Sequence, residues 1–316
     1  MSEHHLPRVA PRIFEQPHLI SPAGARAVLT AVGPRLGIGY LIDASDNVVR
    51  LETAVPSLPE SRLHNALAPD REWDTSRLFA LDKESGIAWI QIEGELVHRF
   101  GHLEPYSGMT GYDAIILKVI AAAADGEVRG IFLDIDSPGG EVYGVEAAAK
   151  AIMDARQIKP VWAMVNEHAT SAAYWLASAA HNVFVPSLGD VGSIGAVIIH
   201  EDISDALDAA GVKITVIHAP EGGHKADNSP FSRLSDPALA NLQSRADAAY
   251  VKFASAVADG RGIPVAAVHS TQARILMAPE ALAADLVDDV APAADVFEDF
   301  TVRLARPESV ALLPTG

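Results

Sequence analysis

Gly130-Ile131-Phe132-Leu133-Asp134-Ile135, followed at once by Asp136-Ser137-Pro138-Gly139-Gly140, decides the fold class of this 316-residue chain. The first six residues read as a strand buried on both faces, apolar apart from Asp134. The next five break it. Proline withdraws a backbone donor, and two consecutive glycines let the backbone bend closely and aim N–H groups outward. A buried strand that ends in such a turn and hands the chain to a helix is the opening of a strand–helix–strand crossover.

The same alternation recurs on either side. Ile87-Ala88-Trp89-Ile90-Gln91-Ile92 reads as an upstream strand. Tyr112, Ile115, Ile116, Val119 and Ile120 follow the i, i+3, i+4, i+7, i+8 spacing that buries one helical face. Downstream, a helix is expected over 142–155 and a strand over 160–165. An apolar helix then opens at Ala169-Thr170-Ser171-Ala172-Ala173. Further strands are expected at 183–185, 196–200 and 214–218, a helix at 203–210, and a long helix over 236–258. This order implies right-handed crossovers and a largely parallel sheet, hence an α/β fold.

Residues 1–80 differ in kind. They are rich in Pro and Arg, with one helix-like segment at 22–32 and a polar stretch at 56–77, and they read as an N-terminal appendage and linker. The expected organisation is this appendage, a main domain over 81–295 and a C-terminal tail over 296–316.

Composition narrows the function. A net charge of −17 argues against a nucleic-acid partner or an anionic membrane surface. The chain has no cysteine, which excludes thiol catalysis, Cys-ligated zinc and disulfides. No run approaches the roughly 18 uninterrupted apolar residues of a membrane helix, and the N-terminus lacks a signal-peptide core. No membrane anchor is expected, and a cytoplasmic setting fits. Neither a dinucleotide fingerprint nor a Walker lysine is present, and no cofactor or metal is expected.

What remains is serine chemistry. Ser171 stands where a strand meets a helix, so its hydroxyl either caps the helix or projects as a nucleophile. A nucleophilic serine needs a base and donors for the oxyanion. Lys225, in the loop Gly222-Gly223-His224-Lys225-Ala226-Asp227-Asn228-Ser229-Pro230, is the candidate base. A free lysine titrates near ~10.4 and must lose its proton to serve; burial favours that, and a facing Asp227 opposes it. Ser193, in Gly192-Ser193-Ile194-Gly195, is either a turn hydroxyl or a group that orients the amine. A second reading keeps Ser171 and takes His200 as base, oriented by Asp202 or Asp227; histidine needs no large shift to act near neutrality. A third is non-catalytic: an acidic, ring-forming scaffold protein.

Five blocks give the chain a specific likeness: DSPGGEVYG, ATSAAYWLAS, VGSIGAVIIH, GGHKADNSPFSRLSD and ILMAPEALAADLVDDV. In this order they resemble peptidase family S49, the signal peptide peptidase A family, and in particular its phage capsid-assembly (prohead) proteases. The segment RIFEQPHLISPAGARAVL is similar to the leader of such proteases. The resemblance implies a ClpP/crotonase-like spiral of ββα units with an N-terminal appendage. It implies Ser171 as nucleophile, Lys225 as general base and Ser193 as the residue orienting the lysine. Backbone N–H groups of Gly140 and Ala172 would form the oxyanion hole, with Gly139 shaping the same turn. It further implies a homo-oligomeric ring in which serine and lysine come from neighbouring subunits. The substrates would be capsid, portal or scaffold proteins, met in the host cytoplasm or within the prohead. Where the family often carries Gly-Gly after the nucleophile, this chain has Ala172-Ala173, which keeps both N–H groups. The scaffold sequence fused to some phage proteases is not recognisable, so a separate scaffold chain is expected.

Overall fold

The computed structural model describes residues 18–20, 40–42, 48–50, 71–105 and 108–306. The helix expected at 22–32 lies outside these residues. Fifteen strands run in chain order: β1 (His18–Ile20), β2 (Tyr40–Ile42), β3 (Val48–Arg50), β4 (Trp73–Asp74), β5 (Ala80–Asp82), β6 (Ile87–Glu93), β7 (Glu95–Val97) and β8 (Met109–Gly111). They continue as β9 (Gly130–Ser137), β10 (Gly139–Glu141), β11 (Val161–Thr170), β12 (Asn182–Val185), β13 (Asp190–Gly192), β14 (Ile275–Met277) and β15 (Asp289–Val290). The helices are α1 (Tyr112–Ala124), α2 (Val145–Ala155), α3 (Ala172–Ser178), α4 (Ser204–Ala209), α5 (Asp236–Arg261), α6 (Val265–Ser270), α7 (Ala278–Ala283) and α8 (Ala293–Ala305).

The main sheet has nine strands, ordered β14-β13-β11-β9-β6-β5-β4, with β12 joined to β11 and β15 to β12. β6, β9, β11 and β13 are parallel, as the crossovers require. A second sheet, β1-β10-β7-β8, grows out of the first. β6 and β9 pair in the large sheet, and after single-residue kinks at Gly94 and Pro138 their continuations β7 and β10 pair in the small one. Each strand–kink–strand is followed by a helix, α1 after β8 and α2 after β10. This is the repeating ββα unit that the resemblance implies. Gly140 must be glycine, because a methyl there would overlap the Leu96 carbonyl on β7.

Two cores sandwich the sheet. Ile131, Leu133 and Ile135 of β9 face α1, α2 and α3 in the larger core. On the other face Phe132 joins Trp89, Trp162, Phe297 and Phe300, with Trp162 and Phe300 stacked at 4.6 Å between centroids. The boundaries expected near residues 80 and 295 thus fall inside packed elements. β4 and β5 edge the main sheet, and α8 crosses residue 295 to bury Val296, Phe297, Phe300 and Leu304.

Three expectations are corrected in detail. α1 buries Tyr112, Ile115 and Val119, but Ile120 is 55% exposed; Ala122 and Ala123 take the inward positions instead. The glycine turn is itself a strand, β10. No strand forms at 196–200 or 214–218, where Val197 alone makes an isolated bridge. Both stretches lie in an exposed arm between β13 and α5, described below.

Candidate active site

Ser171 is the single residue between β11 and α3, and its backbone is strained: φ 58°, ψ −124°. A side chain forced to positive φ costs on the order of 1–3 kcal/mol and persists only where its surroundings hold it. They do. The Ser171 N–H donates to the Gly192 carbonyl (2.7 Å), and its own carbonyl accepts from the Trp175 N–H (3.0 Å). Every residue of α3 is buried. Trp175 stacks on Phe253 of α5 at 4.9 Å, and the Tyr174 hydroxyl donates to the Leu286 carbonyl (2.7 Å). A bulge between Val165 and Ala169, with Glu167 at φ 81°, re-aims the last residues of β11 toward this turn.

The capping reading of Ser171 finds no support, since its side chain makes no cap hydrogen bond to α3. A strained strand-to-helix serine that does not cap its helix has the form of a nucleophile elbow.

The glycine turn lies alongside. Ala169 pairs with Ser137, and the Thr170 hydroxyl donates to the Pro138 carbonyl (3.1 Å), tying the serine's strand to the Pro-Gly-Gly turn. Ser137 sits between, donating to the Gly94 carbonyl (2.6 Å) and accepting from the Gly139 N–H (3.1 Å). Gly139, at φ 105°, therefore commits its donor to the turn itself, while Gly140 follows as the centre of β10. Thr170 and Ser137 are contributions that sequence reading missed. Their short polar side chains beside proline and glycine were the available signal.

Ser193 arrives from the next strand. Thr170 and Gly192 are register partners in β11 and β13, and the Ser171 N–H donates to the Gly192 carbonyl, so Ser193 directly follows a residue bonded to Ser171. Ser193 also holds a positive φ, 51°, with its N–H donating to the Arg274 carbonyl (2.9 Å).

Lys225 is exposed, in the 3-10 segment Pro220–Ala226, and no hydrogen bond joins it to Ser171 or Ser193. That segment belongs to the arm, which spans 196–235. The arm is exposed or half-buried throughout and carries apolar side chains into solvent: Val197 is 48% exposed, Ile217 88% and Phe231 39%. Asp227 accepts from the Asn241 amide (3.2 Å) and is paired with His224 (2.8 Å), so its carboxylate is engaged away from Lys225. The histidine alternative finds no hydrogen bond to Ser171 either. His200 meets Asn228 (3.3 Å), and Asp202 accepts from both the N–H and the hydroxyl of Ser204. Neither aspartate is hydrogen-bonded to His200.

The face of β9 opposite Ser137 carries a group of acids. Burial pushes Asp134 up to about 7, the Asn166 amide opposing this and Asp136 and Glu93 adding to it. Burial likewise raises Asp136 and Glu93, which are register partners. Nearby, partial burial acts to lower His168, but its hydrogen bond to Asp190 (2.8 Å) and the charges of Asp190, Asp136 and Glu167 together outweigh that and raise it. Among the described residues no group of acidic or histidine side chains is arranged to hold a metal, and no helix is long and apolar enough to cross a membrane.

Residues 153–304 match peptidase family S49. The chain is 38% identical over 292 residues to capsid assembly protease C of Escherichia phage lambda, covering 92% of this chain and 64% of that protein. It is 36% identical over 308 residues to the head-tail preconnector protein GP5 of Enterobacteria phage P21, covering 95% of this chain and 58% of that one. The chain thus spans about three-fifths of the length of these curated relatives. Among solved structures, a ClpP1 variant from Listeria monocytogenes overlays 66% of this chain and 92% of its own at 14% identity and a TM-score of 0.40, an overlap too loose to carry weight. On the family match and the two phage relatives together, the chain belongs to peptidase family S49.

Proposed function

We propose that the chain is a serine endopeptidase that cleaves scaffold or capsid proteins during phage head assembly, with Ser171 as nucleophile and Lys225 of a neighbouring subunit as general base. The observation that carries this reading is the strained, non-capping Ser171 held beside the Pro138-Gly139-Gly140 turn. The substrate class comes from the phage relatives, one of which is named a capsid assembly protease.

In the proposed reaction, the neutral Lys225 amine takes the Ser171 proton as Oγ attacks the scissile carbonyl. Negative charge collects on the carbonyl oxygen and is met by the N–H groups of Gly140 and Ala172. The lysine ammonium then gives its proton to the departing amine, leaving an acyl-serine. Water, deprotonated by the same lysine, releases the second product and restores the hydroxyl. Ser193, adjacent to Ser171 and on the arm's side of β13, would orient the amine. A base from a neighbour accounts for the arm: its two apolar, strand-like stretches form no strand among the described residues, and assembly into a ring would offer them a partner.

The test is cleavage of scaffold protein by the assembled full chain. Ser171→Ala should lower kcat by at least about 10³-fold, in line with the loss of a covalent nucleophile, and leave assembly unchanged. Undiminished cleavage by that variant would contradict the proposal; normal head assembly with no cleavage at all would favour the scaffold reading.

A further inference from the structure

β10 has two edges. One is covered by β7, with Gly140 opposite Leu96. The other is covered by β1, a strand separated from it by more than a hundred residues of sequence and paired antiparallel: His18 opposite Glu141, Leu19 opposite Gly140, Ile20 opposite Gly139. This second edge lies at the Ser171 turn, because β10 begins immediately after Pro138, whose carbonyl accepts the Thr170 hydroxyl. An extended peptide adding to it would make main-chain hydrogen bonds to the glycines beside the nucleophile. The chain's own N-terminal strand already does so. Its direction also matters: from His18 to Ile20 it runs from Glu141 toward Gly139, toward the end at which Ser171 sits.

We infer that residues 18–20 are an intramolecular occupant of the substrate edge, a strand that must leave β10 before a protein substrate can pair there. This rests on the proposed peptidase reading for what the displaced strand makes way for. Pairing three residues to this edge gives few contacts, so the strand competes chiefly because it belongs to the same chain. An occupant carried on the same chain acts at an effective concentration on the order of millimolar. Weak pairing is then enough to raise the apparent KM of a competing peptide while remaining displaceable by a substrate presented in quantity, as in an assembling shell.

The experiment separates this inference from catalysis by measuring binding in a chain without its nucleophile hydroxyl. In full-length Ser171→Ala protein, a fluorescent peptide with the sequence of residues 14–24 is titrated and followed by anisotropy, with and without Leu19→Pro. Proline removes a backbone donor and cannot sit within a paired strand. The inference predicts that the proline variant binds the peptide about tenfold tighter than its parent, the tethered competitor having been removed. A second variant, with Leu19→Gly and Ile20→Gly, should shift affinity in the same direction. Equal affinity in all three proteins, or no binding to any of them, would overturn it. Because no step depends on turnover, either result leaves the peptidase proposal to its own test.

Discussion

The sheet that carries Ser171 and the arm that carries Lys225 are built to opposite specifications. Around Ser171 the neighbours are buried or half-buried and the turns are hydrogen-bonded: Thr170 to Pro138, Ser137 to Gly94 and Gly139, Ser171 to Gly192. The arm over 196–235 has two apolar stretches of strand-like sequence that form no strand, and it leaves Ile217 88% exposed. The difference teaches that the fold itself fixes the Ser171 half of the candidate site, while the arm leaves apolar, strand-like sequence exposed. A covalent nucleophile needs a fixed, strained geometry that only a packed core maintains. On the proposed reading, a base delivered by a neighbour would tie the onset of proteolysis to assembly.

The sharpest way to break the finished half is Gly140→Ala. The added methyl overlaps the Leu96 carbonyl, so β10 and β7 must part. We expect cleavage below detection and a loss of about 3 kcal/mol in thermal or denaturant unfolding, the upper end for overpacking. Retained activity would mean that the glycine turn is not part of the site.

A smaller effect sharpens the comparison from beneath the sheet. Burial holds the folded-state pKa of Asp134 at about 7, well above its unfolded value. Between those two values the folded chain binds more protons than the unfolded one, so its stability falls as pH rises from about 4 to about 7. At roughly 1.4 kcal/mol per pKa unit, the loss is a few kcal/mol by pH 8. Asp134→Asn should flatten the dependence of the melting temperature on pH across this window while leaving the arm untouched. A wild-type melting temperature that climbs steadily from pH 4 to pH 8, with the same slope in the variant, would show that Asp134 is not the group responsible.

How much of this was legible in the sequence follows the same division. β6, β9, β11 and the long helix α5 were readable because their apolar spacing reports burial inside one chain. The candidate nucleophile and its glycine turn were legible from residue types at strand ends. β10 was not, because two glycines carry no strand propensity, and only pairing with β7 makes them extended. Ile120 was assigned to the wrong face because alanines at 122 and 123 fill the close approach of α1, and spacing rules weigh them less than isoleucine. The strands expected at 196–200 and 214–218 failed for a different reason. Their pattern is that of strands, but pattern cannot say whether the partner is in the same molecule. Nor could any local signal show β1 crossing to β10, since that contact is set by topology alone.

The central claim, that Ser171 and Lys225 meet only between subunits, is tested most directly by complementation. Ser171→Ala and Lys225→Ala proteins are each assembled alone, then dissociated, mixed in equal amounts and reassembled, and scaffold cleavage is measured. The account predicts that each variant alone is inactive and that the mixture recovers roughly a quarter of wild-type activity, the chance that a symmetric interface pairs an intact serine with an intact lysine. A mixture that forms hybrid assemblies yet stays inactive would contradict it.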